Sequence, residues 1–148
     1  MMTKEERTTP IGLYHYARSY RASADHLRTV DLSVTHPHAP IQFLYFHAIE
    51  LYLKSFLRLH GLRVSKLRDI GHQACCLANE AEARGFRLTE VDRETIYAMA
   101  SSNVVIRSRY IETGAYQKLP AEALAQTATS FHGTVRDALR EAGKPVRD

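Results

Sequence analysis

The segment Pro40–Gly61, PIQFLYFHAIELYLKSFLRLHG, restricts the fold more than any other part of this chain. It reads as one helix of about twenty residues, apolar on nearly every side. One polar stripe interrupts it: His47, Glu50, Lys54 and Arg58, at offsets of three, seven and eleven from the histidine. That spacing marks a single helical face. A helix with so little polar surface has to lie among other helices. Its charged stripe must then meet partners inside the fold or line a groove. Ile41, Phe43, Leu44, Phe46, Ile49, Leu51, Leu53, Phe56 and Leu57 together offer on the order of 15–25 kcal/mol of burial before entropy is subtracted.

The rest of the chain supplies the cover. Residues 1–8 read as a frayed tail, residues 9–143 as one helical domain and residues 144–148 as a second tail. Thr9-Pro10 opens a first helix, with Leu13, Ala17, Tyr20, Ala24 and Leu27 along one side and an end near Asp31. A loop over Leu32–Ala39 leads to the central helix, which Gly61 closes. A connector over Leu62–Arg68 precedes a third helix, Ile70–Arg84, capped by Asp69. Thr89-Glu90-Val91-Asp92 starts a fourth, with acids in the first turn; Ile96, Met99, Ile106 and Tyr110 form its inner face, joined by Asn103, and Gly114 breaks it. Pro120 begins a fifth, with Leu124, Ala128, Phe131, Val135 and Ala138 inward. No strand alternation competes. The expectation is an all-α, antiparallel up-and-down bundle of about five helices. Whatever surface of the central helix four neighbours leave bare goes to a second copy, so a homodimer is expected.

Composition narrows the class but not the activity. The chain has 148 residues, enough for one core, and 45% apolar with 24% charged residues is ordinary for a globular domain. A net charge of +4 favours approach of anionic partners, yet the basic residues are scattered. The two cysteines, Cys75 and Cys76, are adjacent, where a disulfide is hard to form, so reduced thiols and a cytoplasmic location are expected. The N-terminus has no signal-like apolar run, and no segment reaches the length of a membrane span.

HAIELYLKSFL, then GHQACCLANEA, then RSRYIETG, preceded by ARSYRASADHL in the first helix, together resemble the HEPN superfamily over residues 11–140. Glu50 to Lys54 followed by Gly71-His72 is the most specific part. The resemblance implies a small helical bundle that binds nucleotides, often beside a nucleotidyltransferase partner. It also implies a ribonuclease in those members that carry an arginine and, four to six residues on, a histidine. No histidine follows Arg107 or Arg109 at that spacing. The one match, Arg21 to His26, falls in the first helix, about 140° apart around its axis. The resemblance therefore implies a non-catalytic binding module for a nucleotide or an RNA phosphate. A toxin-type, metal-independent ribonuclease of a toxin–antitoxin pair, using Arg109 with His72, and a ligand-free scaffold stand as alternatives.

Arg107, Arg109 and Tyr110 form the sharpest cluster, able to hold a phosphate or stack on a base, with Lys54 and His72 as further ligand-binding candidates. The same arginines could instead lock the bundle by pairing with Glu50 or Glu112. A buried polar network of His47, Glu50 and Asn103 with Arg107 or Arg109 joins the two readings. His47 and Glu50 have i, i+3 spacing, but no repeated Glu-x-x-His pairs follow. His36 and His38, flanking Pro37, make only an adventitious metal clip, so neither metal nor cofactor is expected.

Overall fold

The computed structural model describes residues 1–102 and 119–147. Every regular element among them is a helix. There are seven: α1 (Lys4–Arg7), α2 (Pro10–Leu27), α3 (His38–Leu59), α4 (Val64–Ile70), α5 (Ala74–Glu82), α6 (Glu90–Ser102) and α7 (Ala121–Glu141). No described helix is long and apolar enough to cross a membrane.

α3 is the central element. Twelve of its 22 residues are buried, from Ile41 to Leu57, and it packs chiefly against α2 and α7, with α5 on a further side. Tyr45, Phe46, Ile49, Tyr52, Leu53 and Leu57 are all at most 1% exposed. Phe43, Leu44 and Leu51, expected in the core, are half-buried at its margin. Gly61 ends the helix as expected. Its φ of 89° lets Leu62 N–H reach the Leu57 carbonyl at 3.0 Å, while Gly61 N–H reaches that of Arg58 at 3.1 Å. This Schellman pairing satisfies the last carbonyls and folds Leu62 back over the helix end. At the other side of the core, Thr9 Oγ1 accepts from Gly12 N–H at 3.0 Å and Pro10 takes the first helical position, so α2 starts where the sequence placed it.

Three boundaries differ from expectation. Residues 1–8 are not simply a tail: Lys4–Arg7 form a helical turn closed by a Thr3–Glu6 capping box. Arg58, from the polar stripe of α3, holds that turn through the carbonyls of Glu5 and Thr8, each at 2.9 Å, and the Glu5 carboxylate at 3.3 Å. The connector 62–68 contains α4, and the expected third helix is split. Gly71, at φ 61°, breaks the chain between Ile70 and Ala74, so Asp69 lies inside α4 rather than capping a helix. The expected fourth helix is described as far as Ser102; Asn103, Ile106, Arg107, Arg109 and Tyr110 lie outside the described residues.

α6 and α7 are joined by a buried carboxylate. Asp92, 1% exposed, accepts from Thr89 N–H at 3.1 Å, and Thr89 Oγ1 accepts from Asp92 N–H in return, which closes the first turn of α6. The same carboxylate accepts from Thr127 Oγ1 at 3.1 Å and Ser130 Oγ at 3.2 Å on α7. A buried charge with this many donors is held in place rather than merely tolerated. Asp92→Ala should therefore lower the unfolding free energy by about 2–4 kcal/mol. A urea titration checks this, and Thr127→Ala alone should cost roughly 1 kcal/mol.

Candidate functional site: the Glu50–His72 pair

The break at Gly71 places the next residue. His72 sits between α4 and α5, against the middle of α3, and its Nδ1 lies 2.7 Å from Glu50 Oε2. The Glu50 side chain is 3% exposed and the imidazole 29%. One member of the pair is thus inside the bundle and the other reaches its surface. An ionised carboxylate only accepts, so in a neutral ring the proton sits on Nδ1 and Nε2 is the acceptor. In the protonated ring Nε2 becomes a donor and the carboxylate beneath balances the charge. Either way Glu50 fixes the ring's orientation and leaves one nitrogen for an external ligand.

The rest of the stripe is divided among different tasks. His47 stands edge-on to Tyr20 of α2, ring centres 4.4 Å apart, and stacks with Phe43 at 6.2 Å. Lys54, one turn beyond Glu50, is half-buried. Arg58 anchors the N-terminal turn. The structure therefore brings together two of the residues singled out from sequence, Glu50 and His72, and places Lys54 on the same face of α3. The expected pairing of Glu50 with Arg107 or Arg109 falls outside the described residues, as do Asn103 and Tyr110. Cys75 is half-buried and Cys76 exposed; both are free thiols, and burial pushes the Cys75 thiol up from its ordinary pKa.

A second polar cluster was not foreseen. His132 of α7 lies between two buried phenols, with Nδ1 3.0 Å from Tyr52 Oη and Nε2 3.3 Å from Tyr14 Oη. The signal was present in the sequence. His132 follows Ala128 by four residues and precedes Val135 by three, on the inward side of α7. Tyr45, also buried, donates to Asp25 Oδ1 at 2.5 Å.

Two outcomes test these placements. Glu50→Ala should cost roughly 3 kcal/mol, a fall of several degrees in melting temperature, and an unchanged melt would remove the buried pair from the account. Burial pushes Tyr45 and Tyr52 up to about 12, from an ordinary 10.0; the Asp25 carboxylate adds to the first, and Arg21 opposes the second. Their folded pKa values exceed the unfolded ones, so their contribution is complete below pH 10 and lost as pH rises towards 12. The urea midpoint should fall across that window, and less steeply in Tyr52→Phe. Comparison with protein-family models, with curated proteins and with solved structures found no match.

Proposed function

We propose that the protein is a HEPN-like, antiparallel helical bundle acting as a non-catalytic binding module for a nucleotide or an RNA phosphate, as a homodimer or with a nucleotidyltransferase-like partner. The observation that supports this reading is the Glu50–His72 pair. A buried carboxylate holds a half-exposed imidazole in one orientation, and a lysine follows one turn along the same face. Bound to a phosphate oxygen, the imidazole donates from Nε2 while Glu50 balances it through Nδ1. Lys54 adds a point charge suited to the same group. In this reading Arg107, Arg109 and Tyr110 supply the remaining contacts.

The same pair favours one second reading. A carboxylate-oriented imidazole is also how a general base is held, so a ribonuclease using His72 follows from identical geometry. The absence of the arginine–histidine spacing after Arg107 and Arg109 weighs against it.

Titration of the protein with mononucleotides and short single-stranded RNAs, followed by thermal shift and fluorescence polarisation, checks the first reading. Binding should weaken roughly tenfold in His72→Ala and should fall as salt rises. No binding to any of them would end it. Intact total RNA after incubation with folded protein would end the second.

A further inference from the structure

The donor-rich cluster between α2 and α7 has no part in the Glu50–His72 face. Tyr52 and Glu50 are two residues apart on α3 and so project about 200° apart around its axis. On the Tyr52 side, α2 presents Arg18 and Arg21, three residues apart and hence about 5–6 Å between Cβ atoms. Two like charges on one helix face repel each other, and among the described residues the Arg21–Asp25 ion pair is what offsets them. Arg21 Nη2 donates to Thr129 Oγ1 of α7 at 3.3 Å, while its Nε is buried without a hydrogen-bond partner. The nearest carboxylate, Asp25, is 3.7 Å from that nitrogen and already accepts from Tyr45 at 2.5 Å. Among the described residues Arg18 reaches only the Arg147 carbonyl, at 3.5 Å.

Each guanidinium has five N–H donors; Thr129, Asp25, Tyr52 and the Arg147 carbonyl take some of these ten, and most of the rest meet no acceptor among the described residues. The neighbouring groups are donors as well. Thr129 uses its oxygen to accept from Arg21, which leaves its own hydrogen to give. Behind it stand the Tyr52 hydroxyl and His132. Arg18 and Arg21 both lie close enough to oppose the rise that burial imposes on Tyr52.

We propose that this seam is a binding site for a phosphate dianion, held by Arg18 and Arg21 with the Thr129 hydroxyl as a third donor. A tetrahedral anion supplies what the cluster lacks. It brings acceptors for two guanidinium forks and negative charge to relieve the i, i+3 repulsion. The ligand is either free phosphate or the terminal phosphate of a larger molecule, since both present the same group.

The test is a thermal-shift and calorimetric titration of the whole chain with inorganic phosphate, with phenyl phosphate as a monoester and with chloride at matched ionic strength. Phosphate should stabilise saturably where chloride does not, and binding should weaken roughly tenfold in Arg21→Gln and in Arg18→Gln. Tighter binding of the monoester assigns the site to a terminal phosphate, and equal binding assigns it to the free ion; both support the proposal. His72→Ala should leave the phosphate response intact, which separates this site from the face proposed above. A response no larger than that of chloride overturns the proposal. So does one that survives both arginine substitutions or disappears with His72. Arg18 is exposed and weakly tied, so Arg18→Gln keeps the test decisive if Arg21→Gln fails to fold.

Discussion

Burial of α3 on most of its circumference is the constraint from which the rest of the architecture follows. A helix whose inner residues include Tyr45, Phe46, Ile49, Tyr52, Leu53 and Leu57 leaves little of its surface to bulk water. Each polar residue on it must therefore be matched by a specific group from a neighbour. Gln42 accepts from Leu119 N–H, Ser55 donates to the Pro10 carbonyl, Glu50 meets His72, and Arg58 gathers carbonyls from the N-terminal turn. These contacts fix the register of the elements around α3 more narrowly than apolar packing does, because a hydrogen bond fails within a fraction of an ångström where two leucines would slide.

Those parts of the fold whose cause is local were legible in the sequence. Thr9-Pro10 starts α2, Gly61 ends α3, and the spacing of Leu124, Ala128, Phe131 and Val135 gives the inward side of α7, because a cap, a left-handed residue and a helical period are all properties of a few consecutive residues. The helical period points Ala138 inward at the end of that stripe, but Leu139 is the one fully buried. α4 was missed because seven residues hold barely two turns, too few for a period to show. The helical turn at Lys4–Arg7 was missed for a different reason. Its order comes from Arg58, some fifty positions away, and no local pattern encodes that.

The candidate site shows the same division. Glu50 and His72 were each selected from sequence, one as part of a stripe and the other for its place near a helix start. Their contact depends on the turn at Gly71, whose φ of 61° sends the chain back towards α3. The cluster around Tyr52, Tyr14 and His132 draws on three helices, and pairwise spacing along one helix gives no view of it. Asp92 lies between these cases. Its capping role was readable from Thr89 onward, while its bonds to Thr127 and Ser130 are tertiary.

The Arg58 anchor also has a kinetic meaning. The carbonyls it holds are separated from it by 50 and 53 positions along the chain. Closing so long a loop is entropically unfavourable until α2 has already docked on α3 and carried the start of the chain alongside. The turn at Lys4–Arg7 is thus among the last elements to settle. Until they do, the guanidinium and the carbonyls it will bind remain hydrated, and the outer end of the central helix stays open to water.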